Sequence, residues 1–124
     1  MLYKFTGDKR YLSQAQGFAQ ASYHHFTKRT ADGTISLVDM PWFLDVLFRG
    51  YEALYNVNGD PKYVNTIIEN VNDAWKRKDK YGLIYKNWYG KEDEFQKAKW
   101  LLDEACMVEF YSRMAIIKNK NLLK

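Results

Sequence analysis

The run Trp42-Phe43-Leu44-Asp45-Val46-Leu47-Phe48-Arg49-Gly50-Tyr51-Glu52-Ala53-Leu54-Tyr55-Asn56-Val57-Asn58-Gly59-Asp60-Pro61-Lys62-Tyr63 decides the fold. From Trp42 to Tyr55 it is apolar on nearly every helical face, broken mainly by Asp45, Arg49, Gly50 and Glu52. A helix of that kind is expected to be buried on most sides. Gly59 can then take the left-handed conformation that ends a helix. Asp60 can accept a backbone N–H as the cap of the next helix, and Pro61 sits where the first turn tolerates proline. The stretch reads as helix, tight turn, helix.

Working outward, the same turn occurs twice. Leu2-Tyr3-Lys4-Phe5-Thr6-Gly7-Asp8-Lys9-Arg10-Tyr11 matches Leu54-Tyr55-Asn56-Val57-Asn58-Gly59-Asp60-Pro61-Lys62-Tyr63, at an offset of 52 (63 − 11). A second echo pairs Trp42-Phe43-Leu44-Asp45 with Trp100-Leu101-Leu102-Asp103. A similar loop element precedes each, Gly33-Thr34-Ile35 and Gly82-Leu83-Ile84. Repetition of this type is the mark of a repeat architecture.

The spacing predicts helices over 8–29, 40–57, 60–78 and 97–118, with residues 1–5 as the tail of another. They are of two kinds. After each Gly-Asp turn the pattern is one-sided. Tyr11, Ala15, Phe18, Ser22 and Phe26, with Leu12, Ala19 and Tyr23, share a face in the first. Val64, Ile67, Ile68, Val71, Ala74 and Trp75 do so in the second. The helices after the long loops are apolar nearly all round. Alternating half-exposed and buried helices make an outer and an inner layer, as in an α/α toroid or an α-solenoid. The expected fold is all-α: one domain over 1–124, helical hairpins in two layers, about four helices plus a truncated one. A closed ring of six hairpins needs twelve helices. The first outer helix lacks an inner partner, so an apolar edge should be exposed. Self-association, or packing on the missing part of a barrel, is the expected consequence.

Composition excludes several classes. The chain has 124 residues, 47% hydrophobic and 17% aromatic, enough for a real core rather than disorder. Its net charge of +4 comes from interspersed signs and reads as solubility, not a nucleic-acid footprint. One cysteine, Cys106, allows no disulfide framework and no thiolate zinc cluster. His24 and His25 diverge on a helix and have no third ligand at suitable spacing, so no metal and no cofactor are expected. No apolar run reaches the ~20 residues a membrane helix needs. No signal peptide is legible at the N-terminus. The basic run Lys76-Arg77-Lys78-Asp79-Lys80 reads as a helix C-terminus, where cations oppose the dipole.

The run from Trp42 to Tyr63 resembles the corresponding helix pair of glycoside hydrolase family 76. So do Gly82-Leu83-Ile84 … Trp88-Tyr89-Gly90 and Lys99-Trp100-Leu101-Leu102-Asp103-Glu104-Ala105-Cys106-Met107-Val108-Glu109-Phe110-Tyr111. The resemblance covers nearly all of the chain and matches the family's C-terminal portion. It implies an (α/α)6 barrel, an α-1,6-mannan-type substrate, and a secreted, periplasmic or cell-surface full-length protein. It also implies chemistry carried by two adjacent aspartates in the N-terminal half of the barrel. Retaining glycosidases need two carboxyls about 5 Å apart. No Asp-Asp pair occurs in this sequence. The expectation is a fragment or truncated homologue that carries part of a sugar cleft and is inactive alone. The alternative is a non-catalytic carbohydrate-binding or helical-repeat protein-interaction module.

The long loops, about 28–41 and 79–99, both precede inner helices and so emerge at one end. Binding residues favour such loops on a rigid scaffold. The candidate sugar-binding residues are therefore Asp39, Trp42, Trp88, Tyr89, Trp100 and Asp103. Aromatic faces stack on sugar rings, and carboxylates accept from hydroxyls. Each has a structural reading too. Trp42 and Trp100 can be core anchors. Asp39 can cap a helix. Asp45 with Arg49, and Arg49 with Glu52, read as helical ion pairs, and Glu109 with Arg113 repeats that logic. Asp103 and Glu104 point about 100° apart and do not converge as a catalytic pair.

Overall fold

The computed structural model describes residues 2–38, 40–88 and 99–120. In chain order the elements are α1 (Tyr3–Thr6), α2 (Lys9–Phe26), β1 (Thr27–Arg29), β2 (Ile35–Leu37), α3 (Pro41–Asn58), α4 (Lys62–Lys76) and α5 (Leu101–Asn119). The helical two-layer architecture is as the sequence predicts. The inner helices α3 and α5 pack on each other, and the outer helices α2 and α4 lie against them.

Both Gly-Asp turns form as their chemistry dictates. Gly7 and Gly59 take φ of 69° and 72°. Their N–H groups return to Tyr3 and Tyr55 carbonyls. Asp8 accepts from the Arg10 N–H at 2.9 Å, and Asp60 from the Lys62 N–H at 3.0 Å. The local repeat in sequence is thus a repeat of hydrogen bonds.

α4 is two residues shorter at each end than the sequence reading, and two other boundaries differ more. α2 stops at Phe26, and residues 27–29 enter a strand instead of extending the helix. Thr27 pairs antiparallel with Leu37, Lys28 with Ser36 and Arg29 with Ile35. This hairpin lies inside what reads in sequence as a plain loop. Strands this short carry too little periodicity to be recognised alone. Tertiary contact holds them: Asn70 on α4 accepts from the Leu37 N–H at 3.0 Å and donates to the Ile35 carbonyl at 2.9 Å. Among the described residues α5 begins at Leu101, later than the expected 97.

The Gly33 and Gly82 echo is also structural. Each glycine has positive φ, 87° and 85°. Thr30 N–H donates to the Thr34 carbonyl, and Asp79 N–H to the Leu83 carbonyl, both at 2.9 Å. The two loops therefore close with the same turn.

The core lies between α3, α4 and α5. Phe48 and Phe110, both fully buried, meet with ring centroids 5.7 Å apart. Leu44, Val64, Ile67, Val71 and Ile117 complete the dry centre. Tyr63, from the second turn, sits 5.0 Å from Tyr51 and 5.4 Å from Tyr23, which ties α2 to α3 and α4. Burying each large side chain contributes about 1.5–3 kcal/mol.

The inner helices are less enclosed than their composition suggests. Phe43, Val46, Leu101, Leu102, Val108 and Ile116 are exposed. On the first outer helix Phe18 is 75% exposed, and in α1 Phe5 is 86% exposed. The uniformly apolar pattern of α3 and α5 therefore reports two faces, one in this core and one open. The exposed edge on α1 and α2 is where the sequence placed it.

Candidate functional site

Both inner helices start at the end of the molecule where the long loops emerge. α3 follows Met40 and carries Asp45 in its second turn. α5 follows Trp100 and carries Asp103 and Glu104 in its first turn. Neither helix start has a side-chain cap.

Asp103 is buried, with its Oδ1 enclosed and without a hydrogen-bond partner. Burial raises its pKa, and the Lys86 ammonium pulls the other way. Asp45 is buried as well, and its Oδ1 is also unpartnered. Its Oδ2 accepts from Arg49 Nη2 at 2.8 Å. Burial and then the Glu109 charge raise its pKa, against the pull of Arg49. A buried polar atom without a partner costs about 1–3 kcal/mol, so two such oxygens on neighbouring helices call for an explanation. Cys106 lies in the same region. It is buried and its thiol pKa is pushed up, by burial first and then by the charges of Asp45 and Asp103.

Below Asp45 a chain of charges bridges the inner helices. Arg49 reaches Asp45 at 2.8 Å and Glu109 at 2.6 Å. Arg113 reaches Glu109 at 2.7 Å and Glu52 at 2.7 Å. The two helical pairs read from sequence, Asp45 with Arg49 and Glu109 with Arg113, both form and join into one network. The expected Arg49–Glu52 contact does not. Glu52 turns to Arg113 on the other helix, because α5 brings a second cation within reach.

The sequence candidates separate by environment. Trp100 is 57% exposed, with Lys86 Nζ 5.0 Å from its ring centre. Trp42 is half-buried and stacked on Phe43 at 3.7 Å. Trp88 is a core residue, 4% exposed and edge-on to Phe110 at 5.5 Å. Its Nε1 is buried without a partner. Of the three indoles, Trp100 is the one with a broad face open to a ligand. Asp39 and Tyr89 lie outside the described residues. Asp103 and Glu104 diverge as helix geometry requires. Glu104 turns away to accept from the Ile84 N–H at 3.0 Å, anchoring the loop to α5. Two residues missing from the sequence candidates belong here. Asp45 was legible as the counterpart of Asp103 in the repeated Trp-x-x-Asp. Lys86 carried no sequence signal.

Among the described residues no three His, Cys, Asp or Glu side chains are placed to hold a metal ion. No helix among them is long and apolar enough to cross a membrane.

The fold has clear relatives among solved structures. One is a glycoside hydrolase family 76 mannosidase from Bacteroides thetaiotaomicron VPI-5482, with a TM-score of 0.81 and 25% identity over 97% of this chain. Another is a family 76 glycoside hydrolase from a bovine Bacteroides thetaiotaomicron strain, with a TM-score of 0.79 and 27% identity over 94% of this chain. The chain spans 34% of the first protein's length and 26% of the second's. No protein-family model matches the sequence, and no curated protein does either. The resemblance read from Trp42–Tyr63 and Lys99–Tyr111 is thus a resemblance of structure over nearly the whole chain.

Proposed function

We propose that this chain is the C-terminal part of a family 76-type glycoside hydrolase and furnishes one wall of its glycan cleft without the catalytic aspartates. The observation that carries the reading is the structural match to two family 76 enzymes over nearly all of the chain. The site chemistry agrees with it. The exposed face of Trp100 suits the apolar face of a sugar ring. By the family resemblance, bond cleavage belongs to an adjacent aspartate pair, and this sequence has none.

The test is α-1,6-mannan with the purified chain. Reducing ends counted over hours should not exceed a boiled control. Retardation in a mannan-containing native gel should be measurable, and Trp100→Ala should abolish it. Sugar release that survives rigorous purification would move the chemistry to Asp103, Glu104, Asp45 and Asp39. Absence of any retardation would end the cleft reading. The exposed apolar residues of α1, α2 and α5 support a second reading, a surface for protein contact or self-association. A concentration-dependent rise in mass with no response to mannan would favour it.

A further inference from the structure

The two copies of the repeat differ at a pair of positions beside the inner-helix starts. The echo of Gly33-Thr34-Ile35 in Gly82-Leu83-Ile84, at an offset of 49 (82 − 33), puts Lys86 where the first copy has Leu37. The echo of Trp42 in Trp100, at an offset of 58 (100 − 42), puts Lys99 where the first copy has Pro41. Leu37 and Pro41 are both buried. The second copy thus carries two cations where the first carries two apolar core residues.

Both cations find rings. Lys99 Nζ lies 3.4 Å from the centre of the Tyr85 ring, and Lys86 Nζ lies 5.0 Å from the centre of the Trp100 ring. Tyr85 and Lys86 are consecutive, and so are Lys99 and Trp100. Each two-residue segment therefore offers one ring and one ammonium to the other, and the two contacts cross. Glu104 ties the same junction to α5, accepting from the Ile84 N–H at 3.0 Å.

The two contacts differ in strength. A cation over an aromatic face is attracted by the ring quadrupole, more strongly where water is excluded. Lys99 Nζ is enclosed and has no hydrogen-bond partner, so the Tyr85 face is what offsets its burial. That contact is the anchor. Lys86 is half-buried and Trp100 is 57% exposed, so their contact is the half open to solvent. Its place is set by Lys99, which precedes Trp100, and by Tyr85, which precedes Lys86. An indole has two faces, and the Lys86 ammonium lies over one of them. Trp42, in the first copy, has a face against Phe43 instead.

We propose that Lys86 and Lys99 are positioning residues for the sugar platform: their crossed clasp with Trp100 and Tyr85 fixes the Trp100 ring at the start of α5 and leaves one of its faces for a glycan ring. The inference rests on the reading of Trp100 as part of a cleft wall. A ring held in place before the ligand arrives loses less freedom on binding, and that is the gain the clasp supplies.

The test uses the chain labelled with 5-fluorotryptophan, whose four indoles give four ¹⁹F signals. Trp100→Phe identifies the Trp100 signal by its loss. Lys86→Met keeps an unbranched side chain and removes the charge. It should move the Trp100 signal and leave those of Trp42 and Trp75 in place, and Lys86→Arg should bring the signal back. Lys99→Met should broaden the same signal by removing the anchor. Retardation by mannan should weaken about threefold in Lys86→Met, the size of one solvent-exposed cation–π contact, and recover in Lys86→Arg. A Trp100 signal indifferent to either Met variant would overturn the clasp. A signal that moves while mannan binding keeps its parental strength would overturn the positioning role. A parent chain that mannan does not retard would overturn that role together with the cleft reading, and the ¹⁹F response distinguishes this failure from failure of the clasp.

Discussion

The inner helices α3 and α5 begin with the same Trp-x-x-Asp motif and end with different chemistry. On α3, Trp42 is half-buried against the core and Asp45 is held by Arg49. On α5, Trp100 is exposed and Asp103 has no ion pair among the described residues. The motif itself is identical. The difference is in what surrounds it. Four residues after Asp45 stands an arginine, while the same step from Asp103 reaches Met107. The lesson is that a repeat fixes where side chains emerge, while the neighbours decide whether each becomes a strut or a free acceptor.

Four measurements would break or sharpen that contrast. The largest effect should come from Phe110→Ala. Phe110 is fully buried between Phe48 and Trp88 and joins α5 to α3 and the loop. Its truncation should cost about 4 kcal/mol in urea unfolding. Phe48→Ala should cost a similar amount, with the double variant well short of additive, as expected for residues in contact. Simple additivity would mean the two helices are not coupled through that pair.

Next is Glu109→Gln. Glu109 accepts from both Arg49 and Arg113, which holds its carboxyl below the ordinary range, Arg113 contributing most. Replacing it should cost about 2 kcal/mol at neutral pH, since part of the network is open to water. Because the folded pKa is lowered, this stabilisation is present above the ordinary value of 4.5 and is lost as pH falls through the folded value. The variant should therefore approach the parent in acid.

Asp103→Asn should act with the opposite sign. Its folded pKa is raised by burial, so the ionised carboxylate destabilises the fold above that pKa. The penalty vanishes as pH falls below the ordinary 3.8. The variant should be more stable by about 1 kcal/mol at pH 7, with the gain gone near pH 3. Asp45→Asn should gain less, because it also removes the partner of Arg49. Equal gains would show that the two aspartates share one environment after all.

The smallest effect on stability should be Trp100→Ala, within about 0.5 kcal/mol because the ring is largely in water. Trp42→Ala should cost visibly more in the same thermal melts. The reverse order would make Trp100 the anchor and remove it from the cleft.

Much of the fold was legible because its signals are local. Gly7-Asp8 and Gly59-Asp60 carry their own turn geometry, and the Leu-Tyr and Trp-x-x-Asp echoes reveal the repeat. The one-sided pattern of α4 named its buried face, Val64, Ile67, Val71 and Ala74. The β1–β2 hairpin was not legible, since its strands are held by Asn70, far away in sequence. The site was legible in part. Its end of the molecule, Trp100 and Asp103 followed from the loops and the repeat, whereas the burial of Trp88 and the nearness of Lys86 did not.

The sequence by itself determined the helices, their turns and their two layers, because capping, glycine conformation and helical periodicity act within a few residues. Tertiary structure alone decided which of the ion pairs join across the helices and which carboxylates are buried. Arg49 meets Glu109, and Arg113 meets Glu52, across two helices, and burial of Asp45 and Asp103 depends on every element packed around them. Those are properties of the packed surroundings, and no spacing within one helix encodes them.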